Sequence, residues 1–153
     1  MTDPDLPFAH KVKLRDIAGT DHGLGEVGFG ASQLLPILGE CVSRKRSLIC
    51  IQQPEEHLHP RLQASLGEAL AQIAKDSELG NQLIVESHSE TLILRVMKLV
   101  RERFLIPQDV AVIYVQSTDA VSEAFELRLD DDGNFLDPWP GGFFEEGFRE
   151  RFS

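Results

Sequence analysis

Apolar positions recur along the chain in short blocks whose spacing changes from block to block. Residues 11–17 alternate loosely and predict a strand, followed by a Gly-rich stretch from Gly19 to Gly30. Between Ser32 and Val42, the residues Leu34, Leu35, Ile37, Leu38 and Val42 recur at helical spacing. That helix is expected to hold Pro36 near its first turn, where a missing N–H costs little. Residues 47–51 form an uninterrupted apolar run, the pattern of a strand buried on both faces. Pro60 then opens a second helix, with Leu62, Leu66, Ala69, Leu70 and Ile73 on one face. Residues 82–85 predict another buried strand, which runs into Ser87-His88-Ser89-Glu90. In that capping-box pattern, Ser87 and Glu90 each satisfy an orphan amide of a third helix over 92–103. After Pro107, residues 110–115 and 125–129 read as two more strands, the last entering the Asp130-Asp131-Asp132-Gly133 turn. Strands alternating with helices imply right-handed parallel crossovers. The fold class expected is α/β, a mostly parallel sheet with flanking helices.

Size and charge narrow this picture. The 153 residues suffice for one compact domain, expected to occupy 1–153 with an acidic, aromatic tail over 130–153. A composition of 42% hydrophobic and 26% charged residues is that of a globular chain. No apolar run approaches the roughly 20 residues that span a bilayer, and the acidic start Met1-Thr2-Asp3-Pro4-Asp5 is no secretory signal. A cytoplasmic protein without membrane contact is expected, with Cys41 and Cys50 as reduced core residues. Fifteen basic against 25 acidic residues give a formal charge of −10. Nucleic-acid binders concentrate Lys and Arg to displace counterions, whereas here only Arg44-Lys45-Arg46 and Arg101/Arg103 cluster. Weak or no direct nucleic-acid binding by this chain alone follows.

Three segments stand where a parallel strand ends or a helix begins, which is where open α/β sheets bind ligands. The first is Gly28-Phe29-Gly30-Ala31-Ser32-Gln33, a Gly-rich turn leading into a helix whose free N–H groups suit an anion. The second follows the strand ending Ile49-Cys50-Ile51, namely Gln52-Gln53-Pro54-Glu55-Glu56-His57-Leu58-His59-Pro60. A hydrophobic strand with polar residues at its C-terminal tip is the Walker B arrangement. The third, Leu83-Ile84-Val85-Glu86-Ser87-His88, projects a histidine from another strand tip. In this order and spacing the three resemble the prokaryotic AAA/ABC-type ATPases related to the OLD, RecF and SMC groups. Trp139-Pro140-Gly141-Gly142-Phe143-Phe144 resembles the ending of one subgroup of predicted ATPases.

The resemblance implies the C-terminal lobe of an ABC-type head, a partial P-loop NTPase domain. Ser32, with Gly28, Gly30 and Gln33, matches the signature that contacts the γ-phosphate held by an opposing subunit. His88 matches the switch histidine, and the segment from Glu55 through His59 to Pro60 matches the loop after Walker B. ATP and Mg²⁺ are the implied cofactors. Two departures qualify this. Position 52, ordinarily acidic, is Gln52, beside Gln53 at the position of the catalytic carboxylate, so Walker B is degenerate. There is also no G-x-x-x-x-G-K-[ST] and no Gly-Lys dipeptide. ATP and Mg²⁺ then require a complementing P-loop half, and the isolated chain is not expected to be an ATPase. The expected partner is that half or a second copy, within a DNA-processing or phage-defence complex. Two alternatives stand beside this reading: a non-catalytic interaction module, in which Trp139, Phe143 and Phe144 either act as anchors or, the preferred role, fold back to cover the sheet edge, and a metal site using His57, His59 and Glu55.

Overall fold

The structure, a computed structural model, describes residues 2–3, 6–10, 13–15, 18–23, 26, 28–117 and 121–139, with the backbone alone at 2–3, 6–10, 29 and 31. Two small antiparallel pairs come first, β1 (Thr2–Asp3) with β2 (Leu6–His10) and β3 (Lys13–Arg15) with β4 (Asp21–Gly23). Then follow α1 (Phe29–Ser43), β5 (Leu48–Gln52), α2 (Pro60–Lys75), β6 (Gln82–Glu86) and α3 (Glu90–Arg101). A 3-10 turn at Pro107–Asp109 leads into β7 (Val112–Ser117) and β8 (Ser122–Leu127). The expected α/β alternation is present. The parallel pairing it implies is met by one pair, β5 with β6, in register from Leu48↔Gln82 to Gln52↔Glu86. β7 instead pairs antiparallel with β8, because a short connection joins consecutive strands as a hairpin. Among the described residues, a mostly parallel sheet is therefore not what pairs.

The core lies on one side of β5 and β6. Ile49 and Ile51 of β5 pack with Cys41 of α1, Leu66, Leu70 and Ile73 of α2, and Leu92 of α3. A second cluster joins Ala71, Leu99, Val100 and Leu105 to Leu129 beyond β8. Each fully buried aliphatic side chain contributes about 1.5–3 kcal/mol. Burial alternates strictly along β5, so Leu48 (59% exposed) and Cys50 face outward, as does Ile84 (56%) on β6. The expectation that this strand is buried on both faces, with Cys50 in the core, is thereby corrected. Its apolar run serves one covered and one uncovered sheet face.

Helix starts differ in detail from the pattern. α1 begins at Phe29, which leaves Pro36 in its interior rather than near its first turn. α2 begins as predicted, with Pro60 in its first turn and His59 as N-cap, whose Nδ1 accepts from the Arg61 N–H at 3.3 Å. α3 is capped by Ser89, not Ser87: Ser89 Oγ accepts from the Leu92 N–H at 3.0 Å. Ser87 Oγ instead accepts from the Ser89 N–H at 3.1 Å, holding the turn before the cap. Asn81 fastens the far end of the layer. Its Nδ2 donates to the Cys41 and Arg44 carbonyls (3.0 and 2.8 Å) and its Oδ1 accepts from the Ser47 N–H (3.0 Å). The end of α1 is thereby tied to the start of both parallel strands. Within the expected tail, residues 140–153, including Phe143 and Phe144, lie outside the described residues.

Candidate functional site

The tips of β5 and β6 and the start of α1 converge on one loop, residues 53–59. Gln52 ends β5 beside Glu86 of β6, both exposed, so an amide and a carboxylate share the strand tips. The Gln53 N–H donates to the Glu86 carbonyl at 2.8 Å, extending the pairing one residue past the strands. Gln53 and His57 both adopt positive φ (44° and 61°), so the loop doubles back tightly at residues other than glycine. Such backbone is costly for side-chain-bearing residues and persists where the surroundings dictate it.

Glu55 is the pivot of this loop. It is 7% exposed, and its Oε1 accepts from the His88 N–H at 2.7 Å. A hydrogen bond of this kind contributes about 0.5–1.5 kcal/mol. Glu55 Oε2 is buried without a hydrogen-bond partner among the described residues. The loop after β5 and the loop after β6 are thus locked together through one carboxylate. A second tie runs through Gln63, whose Nε2 donates to the Leu58 carbonyl (3.0 Å) while its Oε1 accepts from Ser89 Oγ (2.7 Å). His88 itself is exposed, held through its backbone N–H at the tip of the clamp.

The Gly-rich segment is packed against the same loop. A Cβ on Gly30 would stand 2.6 Å from Leu58 Cδ2 and 3.0 Å from the His57 carbonyl oxygen, so only glycine permits this approach. Gly28 differs. It is the N-cap of α1 with φ −56°, a conformation any residue adopts, and a Cβ there would meet nothing within 4 Å. Nothing described in this chain requires glycine at that position. Among the described residues α1 has no side-chain cap and no acidic residue in its first turn. Ser32 donates its backbone N–H to the Gly28 carbonyl at 3.3 Å, and Ser32 and Gln33 are both half-buried in the first turns of α1.

The structure therefore gathers Gly30, Gln52, Gln53, Glu55, His59 and His88 around one loop, with Gly28, Ser32 and Gln33 at the adjoining helix start. Local sequence pattern gives no role to Glu86, Gln63 or Ser89. The pairing of Glu86 with Gln52 depends on sheet register, and the Gln63–Ser89 bond joins residues on different helices. The metal alternative is not supported. Among the described residues no group of three His, Cys, Asp or Glu side chains is placed to hold a metal ion. Likewise, no helix among the described residues is long and apolar enough to cross a membrane.

Comparison with known families agrees with this arrangement. Residues 19–95, just over half of the chain and all of the elements meeting at this loop, match the AAA domain family described as putative AbiEii toxin, Type IV TA system. Residues 105–151 match a family described as Protein of unknown function (DUF3696). Searches of curated proteins and of solved structures gave no significant match. AAA and other P-loop proteins generally use ATP and Mg²⁺, and the match marks residues 19–95 as an ATPase-like module in that general sense. This chain belongs to the AAA domain family, within the prokaryotic AAA/ABC-type ATPases.

Proposed function

We propose that this chain is the C-terminal lobe of an ABC-type ATPase head, completing a nucleotide site whose P-loop lies outside these 153 residues. The observation that carries the reading is the convergence of the α1 start, the β5 tip and the β6 tip on the loop fastened by Glu55. Gly28 and the uncapped α1 N-terminus offer a backbone surface open to a phosphate oxygen, with Ser32 one turn inside. Gln52 and Gln53 at the β5 tip, with Glu86 and His88 at the β6 tip, face the position of a metal-bound phosphate and its attacking water. Bound Mg²⁺ would neutralise charge on the phosphates, and this chain's residues would supply orientation. Gln52 contributes an amide oxygen where a carboxylate would bind Mg²⁺ more strongly, so turnover is slow in the native sequence. The family description, a putative toxin of a type IV toxin–antitoxin system, supports a setting in defence or DNA maintenance.

The test is Mg·ATP turnover by the chain purified together with a P-loop segment encoded beside it. Ser32→Ala and His88→Ala are each expected to lower turnover by about tenfold or more, the scale of losing one transition-state contact. Gln52→Glu is expected to raise it. Unchanged turnover in all three variants would remove the proposal. An assembly that forms but never hydrolyses ATP, even with Gln52→Glu, would favour the interaction-module reading instead.

A further inference from the structure

β5 and β6 run parallel and in register to their last residues, so Gln52 stands directly across from Glu86. Neighbouring strands lie about 4.8 Å apart, and register partners point to the same side of the sheet. Burial says which side. Along β5, Leu48, Cys50 and Gln52 are exposed, alternating with buried Ile49 and Ile51. Along β6, Gln82, Ile84 and Glu86 are exposed, alternating with half-buried Leu83 and Val85. Both polar side chains therefore leave the uncovered face at its C-terminal tip, an amide beside a carboxylate. The Gln53 N–H, bonded to the Glu86 carbonyl at 2.8 Å, fixes that register one residue beyond the strand. Ser87 and His88 follow at once, and with Glu86 they line one end of a cavity of about 620 Å³.

The carboxylates at this end are not equally free. Glu55 is buried and bonded to the His88 N–H, and Glu56 stands 3.7 Å from His57. Among the described residues the Glu86 carboxylate has neither a hydrogen bond nor an ion pair. An exposed carboxylate at a strand end is ordinarily just solvated; here it borders a strand tip that carries an amide in place of a charge. Mg²⁺ takes oxygen ligands about 2.1 Å away and keeps several waters, with one or two carboxylates beside the phosphate oxygens. A carboxylate acting through such a water stands about 2.7 Å beyond it, a reach that spans the gap between neighbouring strand tips. The amide and carboxylate present fit Mg²⁺ in that outer role. We infer that Glu86 supplies, from the β6 tip, the negative charge that position 52 lacks. It holds the Mg²⁺ of Mg·ATP through a coordinated water, and Gln52 orients that water. This rests on the preceding reading of the nucleotide site and names the group that couples the site to its metal.

The test is calorimetric titration of a non-hydrolysable ATP analogue into the chain assembled with its P-loop segment, in excess Mg²⁺ and in EDTA. The native assembly should bind more tightly with the metal. Glu86→Gln keeps size and shape and removes only the charge. It is expected to shrink the strengthening by Mg²⁺ about tenfold. Binding in EDTA should be unchanged or tighter, since a carboxylate repels a bare triphosphate. Combining Gln52→Glu with Glu86→Gln returns the charge to β5 and should recover the metal dependence. An unchanged metal dependence in Glu86→Gln would overturn the inference. So would equal weakening in both buffers, the mark of a merely structural role, or a loss that the double variant fails to recover. Turnover lost with the metal dependence intact would also overturn it, assigning Glu86 to the attacking water. Those results leave the nucleotide site standing. An assembly that binds the analogue in neither buffer removes that site and this inference together.

Discussion

The turn that follows β8 and the loop that follows β5 are both short, polar and rich in carboxylates, yet they are built on opposite principles. In the turn, Asp130 accepts from the N–H groups of Asp132 and Asn134 (2.9 and 2.7 Å) and from Asn134 Nδ2. Asp137 receives two bonds from the Arg128 guanidinium and one from its backbone. Arg101 donates to the Asp132 carbonyl and Arg103 to that of Asp131, fastening the turn to the end of α3. Trp139 closes the region edge-on against Tyr114 (5.8 Å) and Phe135 (5.1 Å). The carboxylates of Asp130 and Asp137 and the aromatic rings there are engaged within the chain. At the β5 tip, by contrast, Glu55 keeps an unpartnered buried oxygen, Gln53 and His57 hold left-handed backbone, and Gly28 is a glycine without a local reason. The contrast lies in the carboxylates: both oxygens of Asp130 and of Asp137 are bonded, whereas Glu55 is bonded through one.

Substitutions at three glycines sharpen this contrast most. Gly133 has φ +70°, and a Cβ there would stand 2.2 Å from the Met97 carbonyl oxygen. Gly133→Ala is expected to cost about 3 kcal/mol or more, from the clash and the left-handed backbone together, read by urea unfolding. Gly30→Ala is expected to cost about 1–2 kcal/mol, the clash with Leu58 and His57 being partly offset by better helix propensity. Gly28→Ala should leave stability within about 0.5 kcal/mol while weakening assembly with the P-loop segment. A large stability loss there would make Gly28 structural and break the comparison.

Removing the pivot tests the clamp. Glu55→Ala leaves the His88 N–H without its acceptor and is expected to cost about 1–3 kcal/mol. Glu55→Gln, which keeps an acceptor oxygen, should cost less than half as much. Hydrogen exchange at the His88 amide should accelerate in the first variant and stay slow in the second.

The smallest effect is in acid. Arg128, through its side chain first and its backbone second, holds the Asp137 carboxyl down to about 2. Its value in the unfolded chain is about 4, so the folded state binds the proton less readily. The stabilisation is therefore complete above about pH 4 and is lost as pH falls toward 2. Asp137→Asn should flatten the acid limb of a stability-against-pH curve in that window.

Much of this is legible in the residues. The strand tips carrying Gln52 and His88, the helix opened by Pro60 and the order of the three segments follow from local pattern, because each is decided within a few positions. What is not legible is long-range. Glu55 meets His88 across 33 residues, and Gly30 owes its identity to Leu58, a contact that no periodicity encodes. An apolar run such as Leu48–Gln52 does not say how many of its faces are covered, so the exposure of Cys50 depends on the neighbouring layers. Antiparallel pairing of β7 with β8 depends on the connection between them, which the strand–helix alternation does not anticipate.

The most direct test of a divided nucleotide site is calorimetric titration of Mg·ATP into the 153-residue chain, alone and assembled with the P-loop segment. A divided site predicts no measurable binding alone and saturable binding by the assembly, weakened by Ser32→Ala. Tight, stoichiometric binding by the chain alone would contradict it, since the signature and switch elements would then not be half of such a site.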